Sequence, residues 1–283
     1  MSNLELLESQ PQVRTFRLEK AETRHKRWVA SWRWVSGALG RSALLLALLV
    51  LWEGAPRLGL VDVAFLPPLS DVLAAGWELA VSGQLYDHLE ASLLRAFGGF
   101  AVAVITFVPL GLAVGWYRGF AHALQQIIEV LRNTAPLALL PVFILLLGIG
   151  EVSKVAMVVY SCAWPLLLNT IAAVKQVDPL LIKSARTMGA TPPQLFAKVI
   201  LPAALPTIFV GVRLASAAAM LVLIASEMVG AKAGLGYLII YGQYNFLIPQ
   251  MYFGVLSITA IGLLANYAVE AIERRLTRWR PAS

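Results

Sequence analysis

The sequence predicts an all-α fold, a polytopic membrane protein with six transmembrane helices. Of its 283 residues, 59% are hydrophobic and 14% are charged, whereas soluble domains hold about 25% charged residues. Apolar runs of roughly the length that crosses a bilayer recur six times. The lysines and arginines collect in alternate connecting segments, as they do in multi-pass membrane proteins. Lipid is therefore the expected solvent for most of the chain.

The apolar runs define a predicted transmembrane domain over residues 37–274. Its spans are 38–56, 94–117, 134–149, 152–174, 207–229 and 251–272. The third is short, and Pro136 and Pro141 within it predict a kinked helix packed on its neighbours, because each proline removes a backbone donor. No small-residue cleavage pattern follows the first run, so it is interpreted as a retained anchor rather than a signal peptide.

The positive charges predict that both termini lie in the cytoplasm. With the N-terminus inside, the cytoplasmic segments hold most of the 23 lysines and arginines, and the outer segments hold Arg57, Lys154 and Lys232. Residues 1–36 and 275–283 then form basic cytoplasmic tails. Attraction to anionic lipid accounts for the net charge of +7, and no nucleic-acid partner is expected.

The residue inventory argues against an enzyme or a metalloprotein. There is one cysteine, Cys162, and the three histidines are far apart, so neither a disulfide framework nor a histidine metal site is expected. No phosphate-binding loop and no clustered catalytic set is found, and no cofactor is expected in this chain. An ion-coupled secondary transporter is the alternative, but Glu53, Glu227 and Glu270 lie at span ends rather than deep in the bilayer.

The outer segment between the first two spans predicts an amphipathic helix. It begins at Ser70, runs to Val81 and stops at Gly83. Its apolar face could lie on the outer surface of the molecule or could dock an external partner. The first interpretation is favoured.

The segment 175–206 predicts a compact cytoplasmic loop of two short helices. Asp178 and Pro179 begin the first, and Gly189 ends it as a left-handed cap. The second begins at Thr191 and is expected to end ahead of Pro202. The apolar side of the loop is expected to contact another surface, and it comprises Leu180, Leu181, Ala185, Met188, Leu195 and Phe196.

This loop resembles the cytoplasmic signature loop of the membrane subunits of binding-protein-dependent ABC importers. Ser184-Ala185, Gly189 and Val199-Ile200-Leu201-Pro202 keep the spacing of that signature, but Lys183 stands where the family usually has a glutamate. The resemblance implies that the loop couples the chain to an ATP-binding subunit. The implied coupling residues are Lys183, Ser184, Ala185, Arg186, Met188, Gly189, Leu195, Phe196, Leu201 and Pro202.

Other motifs resemble one branch of that family. Leu66-Pro67-Pro68, Gly148-Ile149-Gly150-Glu151 and Gly234-Leu235-Gly236 are similar to the branch that imports aliphatic sulfonates, taurine, nitrate, bicarbonate and related anions, some members of which carry aromatic acids or vitamin precursors. The resemblance implies the type I ABC importer permease fold in a bacterial inner membrane. It also implies a homodimer, two ATPase subunits that bind ATP and magnesium, and a periplasmic or lipid-anchored substrate-binding protein.

A translocation path needs polar groups inside the bundle and helices that can bend. The candidates for lining the path are Tyr160, Ser161, Asn169, Thr170, Arg213, Ser216 and Glu227, and those for gating or packing are Pro136, Pro141, Gly234 and Gly236. Each polar group could instead bond a neighbouring backbone, and Arg213 could extend to the headgroups rather than attract an anion. For Glu227, a structural or gating role near Gly234 and Gly236 is favoured. Gly98, Gly99, Pro109, Gly111 and Gly115 could permit bending, although for most of them a role in packing is favoured.

Overall fold

The computed structural model describes residues 43–277, which form helices joined by turns. They fall into two compact units that divide between Ser70 and Asp71. The predicted tail 1–36 lies outside the described residues, as does most of the tail 275–283.

In the first unit, residues 43–57 form helix α1 as far as it is described. The predicted span 38–56 therefore begins outside the described residues. After α1 the chain turns at Gly59, which has a φ of 72°. Trp52 Nε1 donates to the carbonyl of Pro67 at 3.1 Å, and the carboxylate of Glu53 accepts from both N and Oγ of Ser70 at 3.0 Å.

In the rest of the described chain, up to residue 277, ten further α-helices follow, with a 3₁₀ turn and a π turn among them. In chain order they are α2 Leu69–Val81, α3 Gln84–Trp116, α4 Arg118–Arg132, the 3₁₀ turn Pro136–Leu139, α5 Leu140–Leu147, α6 Glu151–Lys175, α7 Pro179–Thr187, α8 Pro192–Leu195, the π turn Phe196–Ile200, α9 Leu201–Glu227, α10 Leu235–Tyr244 and α11 Ile248–Leu276. Thus α2 is close to its predicted bounds, and α3 begins ten residues before the predicted span 94–117.

Within residues 43–277, four helices are long and apolar enough to cross a membrane, or five if one bent pair counts as a single span. The four are α3, α6, the continuous helical stretch Pro192–Glu227, and α11. They cover the predicted spans 94–117, 152–174, 207–229 and 251–272 except for the last residues at Tyr117, Met228 and Val229, where the helices have already ended.

The predicted third span, 134–149, has a different structure. Helical segments Gly119–Arg132 and Pro136–Leu147 meet at an angle of 86°. The break precedes Pro136, whose ring disfavours the helical conformation of the residue before it, and Ala135 is accordingly extended, with a ψ of 125°. The eight residues of α5 reach about 12 Å, well short of a hydrocarbon core of about 30 Å. Residues 134–149 therefore do not form one straight span.

Helix α6 lies at the centre of the second unit, between α3 and α9. Small residues permit this close packing: a Cβ added at Gly99 would meet Val158 at 2.7 Å, and one at Gly111 would meet Thr170 at 2.7 Å. Gly98 differs, since its Cβ would meet nothing within 4 Å. For Gly99 and Gly111 the structure supports close helix packing.

The second helix of the loop 175–206 does not end ahead of Pro202, contrary to prediction. It begins as expected after Thr191, whose N–H donates to Gln194 Oε1 at 3.0 Å, but it continues to Glu227. The π turn Phe196–Ile200 precedes the proline, and the N–H of Leu201 donates to the carbonyl of Phe196. This wider turn changes the backbone register where Pro202 lacks a donor, so the helix passes the proline without ending.

Helix α10 follows α9 and was not predicted. Its residues Leu235 and Leu238 form a small core with Leu79 of α2. Gly76 of α2 lies against the ring of Phe253 on α11, where a Cβ would come within 2.0 Å. The buried face of α2 thus packs on the chain's own α10 and α11.

Candidate functional site

Arg95 joins three helices at one end of the bundle. From α3, its Nη1 donates to Glu227 Oε1 of α9 and to the carbonyl of Ala233, each at 2.7 Å. Its Nη2 donates to Glu151 Oε1 of α6 at 2.7 Å, and its Nε donates to Glu151 Oε2. Every nitrogen of the guanidinium is therefore engaged. Ser92, Arg95, Glu151 and Glu227 are called the Arg95 cluster below.

Glu227 is the buried carboxylate of this cluster. Its residue is 1% exposed, and the hydroxyl of Ser92 lies 2.8 Å from each of its carboxylate oxygens. The N–H of Gly236 donates to Glu227 Oε2 at 2.9 Å, and the N–H of Leu235 donates to Ser92 Oγ at 2.8 Å. A buried charge is retained only where it is paired and hydrogen-bonded, and Glu227 meets both conditions.

Glycine is required where the chain turns over this carboxylate. Gly234 has a φ of 127°, and an added Cβ would lie 2.5 Å from the Glu227 carboxyl group. A Cβ at Gly236 would lie 2.5 Å from the carbonyl of Ile224. The first turn of α10 can therefore reach Glu227 only because these two residues lack side chains.

Lys154 is a second cation close to the cluster. It lies in the first turn of α6, is 3% exposed, and donates to the carbonyl of Gly150 at 3.1 Å. From the distribution of positive charges Lys154 was predicted to lie in an outer segment, but it is buried in the first turn of α6. Arg95 and Lys154 together balance the charges of Glu151 and Glu227.

Sequence reasoning named Glu227 but missed its partners. Arg95 is the second residue of the predicted span 94–117 and was not a candidate for the site, whereas the helix that carries it begins at Gln84. An arginine inside an apolar helix is itself a signal of a polar partner, since an unpaired charge in lipid is costly. Ser92 and Glu151 gave no comparable signal.

The seven candidates for lining a path do not converge on one site in the described chain. Tyr160 OH donates to the carbonyl of Leu131, and Ser161 Oγ to that of Val158, each at 2.9 Å. Asn169 Nδ2 donates to the carbonyl of Pro165 at 2.8 Å. For these three, the interpretation as backbone-bonding groups agrees with the contacts observed.

The other four lie in different surroundings. Thr170 is fully buried against Gly111, and its Oγ1 has no hydrogen-bond partner among residues 43–277. Ser216 is half-buried on α9. Arg213 Nη2 lies 2.5 Å from Glu273 Oε2, so this arginine pairs with α11. Glu227 belongs to the Arg95 cluster.

The loop 175–206 forms at the opposite end of α6, about 37 Å from Glu151 along the helix axis. Asp178 caps α7 by accepting the N–H of Leu180 at 2.8 Å. Gly189 ends the helix with a φ of 79°, and the next N–H, of Ala190, donates back to the carbonyl of Ala185 at 3.1 Å. These caps make α7 and the turn after it a fixed structure rather than a loose linker.

The two sides of this loop have different surroundings, which corrects the prediction of one apolar side. Leu195 is 2% exposed and packs with Ile200 and Ala173, and the Phe196 ring lies 5.5 Å from that of Trp116. Leu195 and Phe196 therefore face the chain's own core, because the helix they begin continues into α9. Ala185, Leu201 and Pro202 are half-buried.

The residues of the other side are exposed. Met188 is 86% exposed, Leu180 68% and Leu181 50%. Lys183, Ser184, Arg186 and Gly189 are exposed beside them. We call this the α7 surface: Leu180, Leu181, Lys183, Ser184, Arg186, Met188 and Gly189. It combines exposed apolar side chains with the positive charges of Lys183 and Arg186.

No set of three His, Cys, Asp or Glu side chains in residues 43–277 is arranged to hold a metal ion.

Comparison with known proteins finds membrane components of transport systems, both by family profile and by individual relatives. The profile of the family described as "Binding-protein-dependent transport system inner membrane component" matches residues 105–278. The chain is 33% identical to the taurine transport system permease protein of Escherichia coli (strain K12), over 88% of this chain and 93% of that protein. It is 32% identical to the putative aliphatic sulfonates transport permease protein of Bacillus subtilis (strain 168), over 87% and 88%.

A solved structure has the same fold. The inward-facing methionine ABC transporter MetNI matches with a TM-score of 0.61 at 21% identity, covering 69% of this chain and 96% of that one. The all-helical type I importer permease fold is thereby confirmed.

Proposed function

Because the chain belongs to the family of binding-protein-dependent transport system inner membrane components, we propose that it is the permease subunit of an ATP-driven importer for small anionic solutes. The chain is a multi-pass inner-membrane protein. Its energy source, its partners and its substrate are what we propose. The α7 surface is the main support for this proposal. It lies on an exposed, capped helix, and the loop keeps the residue spacing of the signature by which such permeases couple to an ATPase.

The α7 surface has the properties of a docking site. Leu180 and Met188 expose apolar surface to water, which is unfavourable unless a partner covers it. Lys183 and Arg186 add positive charge beside this surface. An ATPase with an apolar groove edged by acidic side chains would fit. Since Lys183 replaces the usual glutamate, we expect the charge on the partner's contact residue to be reversed.

The loop is well placed to transmit movement of an ATPase. Leu195 and Ile200 anchor it in the core, and the helical stretch Pro192–Glu227 runs without a break from the loop to the Arg95 cluster. Its 36 residues correspond to about 54 Å. A displacement of the loop would therefore move α9 as a whole, including its far end at Glu227.

Helix α11 has a large apolar surface that the described chain does not cover. Of the most apolar part of α11, 6% is buried in the described chain, against 44% for α6. We propose that lipid and a second copy of the chain cover such surfaces, and that the two copies enclose one path. Two ATPase subunits would bind the two α7 surfaces, and a periplasmic or lipid-anchored binding protein would deliver the solute to the opposite face.

The proposed substrate is an aliphatic sulfonate or taurine. The relatives named for these solutes are similar to nearly the whole chain. The sulfonate group that these solutes share carries one negative charge. It needs hydrogen-bond donors and a nearby cation, and the Arg95 cluster holds both. Nitrate, bicarbonate, aromatic acids and vitamin precursors are the competing substrates to be compared with it.

Uptake by proteoliposomes tests this function. The chain would be reconstituted with the ATPase and the binding protein proposed as its partners, and accumulation of radiolabelled taurine would be measured with ATP enclosed. We expect uptake that vanadate abolishes and that ionophores leave unchanged, with unlabelled ethanesulfonate competing better than nitrate. Uptake that needs an ion gradient and not ATP would instead establish a secondary transporter.

A further inference from the structure

The two carboxylates bound by Arg95 are held in different ways. Glu227 is buried and accepts from Ser92, Arg95 and Gly236. Glu151 has a side chain 66% exposed, and its recorded hydrogen bonds go to Arg95. Glu227 is therefore a fixed part of the structure, whereas Glu151 can turn into solvent by rotation of its own side chain.

The contact that Glu151 makes is one that other oxyanions can make. Nε and Nη2 of Arg95 donate in parallel to the two oxygens of Glu151. This two-pronged geometry suits any group with two oxygens on one atom, including a sulfonate. A sulfonate is similar in charge and width to the carboxylate it would replace.

The surroundings favour an anion once Glu151 has turned away. Arg95 and Lys154 would then face one remaining carboxylate, Glu227, so the site would carry a net charge of about +1. Lys154 is 3% exposed, and its recorded hydrogen bond goes to a backbone carbonyl rather than to a carboxylate. Glu151 also begins α6, a helix of 25 residues whose N-terminal N–H groups attract negative charge.

We propose that Arg95, supported by Lys154 and the first turn of α6, binds the oxyanion group of the transported solute, and that Glu151 occupies this site when no solute is present. The inference rests on the proposed function and extends it to a binding site. Exchange of one monoanion for another keeps the cluster neutral, whereas a dianion would leave one uncompensated negative charge. Selection of sulfonates over sulfate follows from that difference.

Direct binding to the purified full-length chain tests the exchange. The probe is radiolabelled methanesulfonate at equilibrium with protein in detergent, with sulfate and tetramethylammonium as competitors. Glu151→Gln removes the internal competitor, and we expect it to tighten binding by about tenfold, as expected for loss of a charge-assisted contact. Glu90→Gln alters an exposed carboxylate on α3 near the same end of the bundle and is expected to leave binding unchanged.

Arg95→Lys in the Glu151→Gln background keeps the charge but loses the two-pronged donor, and we expect binding to weaken by at least about tenfold. If that variant does not fold, Lys154→Gln leaves the Arg95 contacts in place and is expected to weaken binding as well. Equal affinity in wild type and Glu151→Gln would overturn the proposal, as would undetectable binding in both.

The uptake assay tests the proposed function separately from the proposed binding site. Vanadate-sensitive taurine uptake together with unchanged methanesulfonate binding in Glu151→Gln would exclude this site while the proposed function stands. Loss of ATP-dependent uptake of every anion tested, in the wild-type complex, would exclude the proposed function itself.

Discussion

Nη1 of Arg95 lies 2.7 Å from Oε1 of Glu227, although 132 positions separate the two residues in the sequence. The contact fastens α3 to the end of α9, where the chain turns through Gly234 into α10. It lies at the opposite end of α6 from the α7 surface. The chain therefore has two sites, one proposed to bind solute and one proposed to bind an ATPase, and continuous helices connect them.

Replacing Arg95 is expected to destabilise the protein strongly. Arg95→Met leaves Glu227 buried without its cation, and loss of one partner from a buried pair costs about 3–5 kcal/mol. Thermal unfolding of the purified chain in detergent would measure the effect. Arg274→Met is the control, because Arg274 is 78% exposed and its pair with Glu270 is worth at most about 1 kcal/mol. Equal loss of stability in both variants would show that the buried Arg95–Glu227 pair contributes no more to stability than the exposed Arg274–Glu270 pair.

Adjacent glycines on α3 are expected to respond in opposite ways to alanine. Gly99→Ala places a Cβ 2.7 Å from Val158, and such overpacking costs about 1–3 kcal/mol. Gly98→Ala meets nothing within 4 Å and gains up to about 1 kcal/mol from helix propensity. The unfolding temperatures of the two variants should therefore lie on either side of the wild-type value. The same direction of change in both would contradict the packing described for α3 and α6.

The backbone at Gly189 is expected to decide whether the α7 surface is presented correctly. Gly189→Pro cannot adopt the observed φ of 79°, whereas asparagine tolerates that region. We expect Gly189→Pro to insert in the membrane but to lose ATP-driven uptake, and Gly189→Asn to keep most of it. Uptake in proteoliposomes, normalised to inserted protein, makes the comparison. Normal uptake by the proline variant would remove this loop from the coupling mechanism.

An aspartate on the α7 surface is expected to release the ATPase without unfolding the chain. Met188 is 86% exposed, so Met188→Asp should leave the unfolding temperature unchanged while placing a charge in the proposed apolar contact. The amount of ATPase retained on a tagged chain gives the measurement. Leu73→Asp, on an exposed position of α2, is the matched control and should retain the partner. Equal retention by both variants would place the ATPase elsewhere.

Local signals allowed part of this structure to be predicted. The apolar run 152–174 almost coincides with α6, and Asp178, Pro179 and Gly189 mark the ends of α7, because capping depends on neighbouring residues. The π turn before Pro202 could not be predicted, since the proline signals a helix end unless the register changes. The partnership of Arg95 with Glu151 and Glu227 depends on how three distant helices pack, and no local pattern records it.

The composition of the complex would show whether this chain works together with an ATPase. The tagged chain would be purified from its native membrane in mild detergent, and its intact mass and that of its partners would be measured by native mass spectrometry. We predict two copies of this chain bound to two subunits of a P-loop ATPase. Complexes of the Met188→Asp variant are expected to lack the ATPase. Reproducible isolation of the intact chain without any nucleotide-binding partner, from membranes in which solute uptake follows an ion gradient, would contradict it.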